Sequence, residues 1–187
     1  MRQHDYPSHR AMVERLSRHY DRATEADRAA GRAWYPEARR FIRTVADAHG
    51  LSRSTVAGVV AALSPRTRWS ANRRMALQCI AHGTPGADCL RRNAENAARI
   101  LSGEHPRVVL RGPKTRAFYL ALVGDNYATV IDTWMLHAVG WPTTDGGVKP
   151  TDYERIADAL RDAAERAGEK PAPYQATVWV VVRGKAE

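Results

Sequence analysis

Lysine is scarce in this chain. Lys114, Lys149, Lys170 and Lys185 are the only four lysines among 29 basic residues, and the others are arginines. The planar guanidinium of arginine matches the geometry of phosphate oxygens better than an ammonium group does. With 20 acidic residues the formal net charge is +9, which favours a polyanionic partner such as nucleic acid. Arginines that are merely solvated would give the same composition.

Cysteine is also scarce, with Cys79 and Cys89 as the only two residues. They form no CxxC motif, and although His82 follows Cys79 closely, no fourth ligand lies at a spacing typical of zinc sites. The count also excludes a four-cysteine iron–sulfur cluster. We therefore expect no metal and no cofactor.

Long apolar runs are missing too. No segment approaches the roughly 18 consecutive apolar residues that a membrane-spanning helix needs, and residues 1–7 contain no apolar signal segment. Hydrophobic residues nevertheless make up 44% of the chain, which is enough for the core of one domain. We therefore expect a cytoplasmic single-domain protein without a membrane partner.

Apolar residues recur at helical spacing along most of the chain, which predicts an all-α fold. Pro36 suits the first turn of a helix, and Ser52 or Ser54 can cap another. Thr151 and Glu154 have the spacing of a capping box. The predicted helices cover residues 7–29, 35–49, 56–63, 69–80, 94–101, 114–123, 132–139, 151–167 and 174–183.

The C-terminal segment 177–182 has the composition of a β-strand. No other segment offers a clear partner strand, and a single strand cannot satisfy its own backbone hydrogen bonds. We therefore predict that residues 174–183 form a buried terminal helix.

A turn that feeds a helix is predicted at residues 109–115. Gly112 permits a backbone conformation closed to other residues, and Pro113 suits the first helical turn. The free amides at the start of this helix can bind an anion such as a DNA phosphate. Arg111 and Thr115 can add contacts to the same anion.

Lys114 lies in the first turn of that helix, and Asp132 lies at the start of the next one. The positive end of a helix and burial both lower the pKa of an amine, and a neutral amine is a nucleophile capable of Schiff-base chemistry. A carboxylate in the same cleft can stabilise a sugar cation during glycosidic bond cleavage. A solvated Lys114 and an ordinary N-cap at Asp132 are the simpler alternatives.

These residues resemble a known family. Gly112-x-Lys114-Thr115 followed by Ile131-Asp132-Thr133 is similar to the hairpin and aspartate of the helix-hairpin-helix DNA glycosylases, the endonuclease III and 8-oxoguanine glycosylase superfamily. The segment 59–65, with Trp69 and Asn72 after it, resembles the family's earlier helix–loop–helix. Residues 93–101 resemble the helix before the hairpin, so that the likeness runs from about residue 35 to 141.

The resemblance implies a two-lobed helical bundle with a helix-hairpin-helix motif, in which 35–140 form one lobe and 1–34 with 141–187 the other. It implies that Lys114 attacks C1′ of a flipped nucleotide, displacing the base and forming a Schiff base that supports AP-lyase activity. Asp132 would assist departure of the base. The implied partner is double-stranded DNA with a damaged or modified base, bound by a monomer associated with the nucleoid.

The chain departs from the family pattern at three places. The first of the two hairpin glycines is replaced by Leu110. The family often has glutamine after Ser-Ala in the earlier loop, where this chain has Ser64-Pro65-Arg66. Trp134 stands two residues after the aspartate, where the family often has histidine. These departures indicate a diverged branch, without an iron–sulfur cluster, that acts on an unusual base.

A basic stretch with one aromatic residue follows the earlier loop. It consists of Arg66, Arg68, Trp69, Arg73 and Arg74. We expect it to face DNA, with Arg66 or Trp69 inserted into the base stack. A buried Trp69 among solvated arginines is the equal alternative.

Four further residues are candidates for the base pocket. Trp134 and His137 follow the aspartate, although a core position is the more usual role for Trp134. Gln175 and Trp179 can reach the pocket from the terminal helix.

Two other functions remain open. Residues 48–57 resemble the turn and recognition helix of a helix-turn-helix DNA-binding protein, but the helix continues as the apolar run 58–63, which favours a core helix. A base-modifying or base-exchanging enzyme on DNA would have the same fold and pocket.

Overall fold

The computed structural model of the chain describes residues 6–87, 89–142 and 148–184. These residues form ten α-helices and no strand, which confirms the predicted all-α class. No helix among them is long and apolar enough to cross a membrane. The helices are α1 (His9–Asp21), α2 (Glu25–His49), α3 (Arg53–Ala62), α4 (Trp69–His82), α5 (Arg91–Leu101), α6 (Pro106–Val109), α7 (Pro113–Val123), α8 (Thr133–Val139), α9 (Pro150–Arg166) and α10 (Pro171–Arg183).

The chain divides into two compact units. The terminal unit comprises residues 1–36 and 125–186, and the central unit comprises residues 37–124. Helix α2 therefore begins in the terminal unit and ends in the central unit.

The core of the terminal unit is formed by α1, α8, α9 and α10, which pack against one another. The rings of Tyr20 and Tyr174 stack at 4.4 Å between centroids. Gly31 lies so close to α10 that a Cβ atom there would collide with the backbone of Thr177. The predicted terminal helix is confirmed, and its buried side chains include Tyr174, Gln175 and Val178.

Helix α3 forms the core of the central unit and packs against α4, α5, α6 and α7. Its apolar side chains from Val56 to Leu63 are at most 1% exposed. Ser52 caps this helix by accepting a hydrogen bond from the Thr55 amide at 3.0 Å. The predicted core helix is therefore confirmed, and a helix buried in this way cannot enter a DNA groove as a recognition helix.

Helix α2 is longer than the sequence analysis predicts. Thr24 and Asp27 cap its N-terminus through two reciprocal hydrogen bonds. The Asp27 carboxylate accepts a hydrogen bond from the Thr24 amide at 2.9 Å, and the Asp27 amide donates to the Thr24 hydroxyl oxygen at 3.1 Å. The helix then continues through Pro36, so the prediction that Pro36 opens a separate helix is wrong. An internal proline costs about 3 kcal/mol. Burial of the neighbouring Tyr35 side chain contributes to offsetting this cost.

Two other predicted helix boundaries are also wrong. The predicted helix 7–29 is split, because α1 ends at Asp21 before the cap of α2 begins. Helix α9 begins at Pro150 with Lys149 as its N-cap, which places Thr151 inside the first turn and leaves the capping box unformed. Proline at the first helical position has its φ already set for a helix, and this moves the start upstream.

Candidate functional site

The net positive charge of the chain comes from the central unit. Residues 37–124 contain 15 Lys and Arg against five Asp and Glu, a formal net charge of +10. Residues 1–36 and 125–186 contain 14 basic and 14 acidic residues and are therefore neutral overall. A surplus held by one unit creates a stronger local field than the same charge spread over the whole chain, and it favours phosphate-rich partners there.

The loop between α3 and α4 carries exposed arginines of that surplus. Arg66 is exposed and has φ of 60°, the only positive φ of a non-glycine residue in the described part of the chain. Arg68 is also exposed and is the N-cap residue of α4, where its side chain forms no capping hydrogen bond. A non-glycine residue in the left-handed region costs roughly 1–2 kcal/mol, so the fold of the surrounding loop holds Arg66 in a strained conformation.

Trp69 is half-buried at the start of α4, and its ring meets Phe41 of α2 edge-on at 6.1 Å. The guanidinium of Arg73 lies over the same Phe41 ring at 4.6 Å. Trp69 is therefore neither a fully buried core residue nor a freely projecting one. Arg73 and Arg74 are both exposed, as the basic-stretch prediction requires.

Two buried asparagines hold this loop in place. Asn72 donates to the Val60 carbonyl oxygen at 3.0 Å, and Asn93 donates to the Pro65 carbonyl oxygen at 3.5 Å. Asn72 is 1% exposed. The two asparagines link α4 and α5 to the chain on either side of Leu63, and thereby fix the position of the exposed arginines.

The predicted hairpin consists of α6, a short connection and α7. Gly112 is the N-cap of α7 with φ of −70°, so the predicted special glycine conformation is wrong. Glycine is favoured here by steric crowding, because a Cβ atom at Gly112 would make a tight contact of 3.2 Å with the Thr115 hydroxyl oxygen. That hydroxyl donates to the Gly112 carbonyl oxygen at 3.0 Å. Arg111 is exposed beside this helix start.

Lys114 is the second residue of α7 and is half-buried. The first turn of α7 contains no acidic residue, and its N-cap forms no side-chain hydrogen bond. The partial positive charge of the helix start is therefore not neutralised from within that turn.

Asp132 holds the start of α8 in the terminal unit. One carboxylate oxygen, Oδ1, accepts a hydrogen bond from the Met135 amide at 2.9 Å, as an N-cap does. The other oxygen, Oδ2, accepts from the indole Nε1 of Trp179 at 3.2 Å. The N-cap alternative is thus confirmed, and the half-buried carboxylate has a second, directional partner on α10.

The extended segment before Asp132 is held by side chains from two helices. The Val130 amide donates to the Gln175 side-chain oxygen at 2.7 Å. The Ile131 amide donates to the Tyr153 hydroxyl at 3.0 Å. Gln175 is 5% exposed, so it supports this backbone from within the core. Sequence reasoning missed Tyr153, because nothing in its helical context distinguishes it from an ordinary core tyrosine.

The aromatic candidates around α8 and α10 have different environments. Trp134 is 39% exposed, so the expected core position for it is wrong. It is the second residue of α8, whose buried face begins with Met135. His137 is exposed, and its ring centroid lies 6.1 Å from that of Trp134. Trp179 is half-buried, with the Arg183 guanidinium 4.7 Å from its ring centroid.

The predicted site residues fall into two groups. Arg66, Arg68, Trp69, Arg111, Gly112, Lys114 and Thr115 belong to the central unit. Asp132, Trp134, His137, Gln175 and Trp179 belong to the terminal unit. Within the terminal unit, Asp132 and Trp179 are in direct contact.

No group of three or more His, Cys, Asp or Glu side chains in the described residues is arranged to hold a metal ion. Comparison with curated proteins and with solved structures finds no match. A family model does match residues 1–186. The chain therefore belongs to DUF7178, a family of unknown function.

Proposed function

We propose that this protein is a DNA glycosylase with associated AP-lyase activity, in which Lys114 is the nucleophile and Asp132 assists. The observation that carries the proposal is the concentration of net charge, +10, in residues 37–124. The helix that begins with Pro113 and Lys114 lies within this basic unit. The proposal includes the two-lobed helix-hairpin-helix architecture that the sequence resemblance implies.

The chemistry begins with the neutral amine of Lys114. Its Nζ forms a bond to C1′ of the target nucleotide while the bond from C1′ to the base breaks, and the electron pair leaves with the base, which takes up a proton. The amine then loses a proton, and its electron pair forms the C=N bond as C1′–O4′ breaks. O4′ keeps the electron pair of the broken bond and takes up a proton, so that a ring-opened sugar with a protonated Schiff base remains. Loss of a C2′ proton with departure of the 3′ phosphate then breaks the strand.

Asp132 serves this reaction as a fixed carboxylate. Both of its oxygens already accept hydrogen bonds, from the Met135 amide and from the Trp179 indole, so its orientation is defined. A carboxylate held in this way stabilises positive charge on the sugar as the base departs, and it can accept the proton that the amine loses.

The loop between α3 and α4 supports binding of a distorted duplex. Arg66 is exposed and held in a left-handed conformation, and strained backbone of this kind clusters at functional sites. We propose that Arg66 or Trp69 fills the gap that the flipped nucleotide leaves, and that Arg68 contacts the phosphates. At α7, Gly112, Thr115 and Arg111 hold a phosphate of the same strand.

The remaining candidates complete the proposed base pocket. Trp134 and His137 are exposed on α8 close to Asp132 in the chain, and an exposed indole can stack on an extruded base. Gln175 and Trp179 support the pocket through hydrogen bonds. Gln175 holds the backbone at Val130, and Trp179 holds the Asp132 carboxylate.

The proposal is tested with a panel of duplexes that contain different damaged or modified bases, scored for free base and strand breaks. Sodium borohydride should trap the protein covalently on the cleaved duplex by reducing the Schiff base. Lys114→Ala should abolish the adduct, whereas Lys170→Ala, at an exposed position of the terminal unit, should not. Persistence of the adduct in Lys114→Ala would show that another amine is the nucleophile.

Asp132→Asn separates chemistry from binding. We expect it to lower base release at least tenfold while changing duplex affinity less than twofold, since the amide retains the shape but not the charge. Unchanged base release in Asp132→Asn would exclude the assigned role. An intact strand that carries a new group would indicate a base-modifying or base-exchanging enzyme. Duplex binding without any reaction across the panel would indicate a DNA-binding protein.

A further inference from the structure

The hydrogen bond between Trp179 and Asp132 joins two residues that are far apart in sequence. The indole Nε1 of Trp179, on α10, donates to Oδ2 of Asp132 at 3.2 Å. An indole N–H can only donate a hydrogen bond, so it suits a carboxylate oxygen. Because the indole is neutral, the negative charge of Asp132 is retained. The Met135 amide holds the other oxygen at 2.9 Å, so two donors together define the plane of the carboxylate.

Trp179 is itself held in one orientation. Its ring lies edge-on to Trp34 at 6.3 Å, and the guanidinium of Arg183 lies 4.7 Å from its centroid. The residues on either side of it along α10, Val178 and Val180, are 0% and 3% exposed. The two buried valines anchor α10, and an indole that turned away from Asp132 would lose its contacts with Trp34 and Arg183 as well as the hydrogen bond.

We infer that Trp179 is a positioning residue that holds the Asp132 carboxylate in its reactive orientation, and this rests on the proposed function. A helix cap needs only one carboxylate oxygen, and Met135 already uses it. The second donor restricts rotation of the carboxylate about its own axis, which the cap alone permits. Orientation of this kind affects the reaction rate rather than DNA binding, because misplacement by about 1 Å can reduce a rate roughly 100-fold.

The experiment replaces Trp179 in two ways. Trp179→Phe removes the N–H donor and part of the ring. A benzothienyl-alanine at position 179, incorporated by codon suppression, keeps the bicyclic shape and replaces only the N–H by sulfur. We expect both variants to lower the single-turnover rate of base release by about 10- to 100-fold, with duplex affinity within twofold of the wild type.

A matched control separates positioning from packing. Trp141 is a buried tryptophan of the same unit, 5% exposed, that packs in the core. Trp141→Phe should lower the melting temperature without lowering the single-turnover rate at a temperature where the protein is folded. If the benzothienyl variant keeps the full rate, Trp179 acts through packing alone and the inference is overturned.

Failure of the inference is distinguishable from failure of the proposed function. An active wild type with an equally active Trp179→Phe variant contradicts the inference only. A wild type that releases no base from any duplex of the panel contradicts the proposed function, and the positioning role is then rejected with it.

Discussion

The hydroxyl of Tyr153 donates to the Thr129 carbonyl oxygen at 2.8 Å. The Tyr153 hydroxyl oxygen also accepts a hydrogen bond from the Ile131 amide at 3.0 Å, so one side chain of α9 satisfies two backbone groups of the segment before Asp132. Burial raises the pKa of Tyr153 far above its ordinary value, which keeps the phenol neutral and able both to donate and to accept. Two of the hydrogen bonds that hold this segment therefore depend on a single hydroxyl group.

Tyr153→Phe should lower the free energy of unfolding by about 1–3 kcal/mol, because it leaves the buried backbone groups of Thr129 and Ile131 without this partner. Chemical denaturation followed by circular dichroism measures the change. Tyr127→Phe is the control, because Tyr127 is 66% exposed, and a surface change of this kind should stay within about 0.5 kcal/mol. Equal stability of the two variants would contradict the support role.

Gly140→Ala should be more destabilising than Gly168→Ala, although both glycines belong to the terminal unit and have φ of +68°. The shared φ costs about 1–2 kcal/mol in each variant. Around Gly168 there is open space, whereas a Cβ atom at Gly140 would collide with the Arg15 guanidinium. Arg15 donates to the Val139 carbonyl oxygen at 2.7 Å, and its displacement should cost roughly a further 1–3 kcal/mol.

A double-mutant cycle tests the same relationship. In an Arg15→Ala background the extra cost of Gly140→Ala over Gly168→Ala should disappear, because the colliding side chain is gone. Thermal unfolding measures each variant. An extra cost that persists without Arg15 would show that the backbone, not the guanidinium, disfavours alanine at Gly140.

Arg66→Gly should be more stable than Arg66→Ala by about 1 kcal/mol, which reverses the usual order of these two residues. The reason is the φ of 60° at Arg66, which glycine adopts freely and alanine does not. Both variants lose the same positive charge, so they should lose the same DNA affinity. Urea denaturation and fluorescence anisotropy with a labelled duplex measure the two effects. A more stable Arg66→Ala would mean that the loop relaxes out of its left-handed conformation.

The salt dependence of duplex binding should be a property of the central unit. Arg66→Gln with Arg74→Gln should reduce the slope of log K against log salt concentration by about 1–2. Arg18→Gln with Arg22→Gln removes two exposed charges from the neutral terminal unit, and it should leave the slope unchanged. Equal slopes in both double variants would contradict phosphate contacts confined to residues 37–124.

Cys79 should resist alkylation in the folded protein. Burial, and to a smaller extent the nearby Cys89, raises the pKa of the Cys79 thiol to about 11, so that only about one thiol in a thousand is ionised at pH 8. Cys89 is half-buried and should react first with iodoacetamide. Mass spectrometry measures the order, and Cys89→Ser should remove the fast phase. Equal rates at both thiols would show that α4 opens readily.

Several parts of the fold follow from local sequence signals. Trp69 begins α4, Gly124 ends α7 and Gly140 ends α8 at the predicted places, and Ser52 caps α3. Caps and left-handed glycines act over one helical turn, so a short stretch of residues is enough to predict them. Local signals do not predict the start of α2, because Pro36 has the sequence signature of a helix start but lies inside the helix, whose N-terminus is held by Thr24 and Asp27.

The candidate site could be predicted only in part. The position of Asp132 at a helix start follows from the residues next to it, and so does that of Lys114. The contact of Asp132 with Trp179 joins residues 47 positions apart. No periodicity in the sequence connects them, because the contact arises where two separately formed helices pack.

The amino-acid sequence by itself determined the helical class, most helix ends and the excess of positive charge, since these depend on composition and on neighbours within a few residues. Tertiary structure alone decided that this charge lies within one unit, that Trp134 is exposed, and that Tyr153 and Trp179 hold the chain around Asp132. The physical reason is that side-chain hydrogen bonds and burial depend on how helices pack in space, and packing brings together residues whose separation along the chain carries no signal.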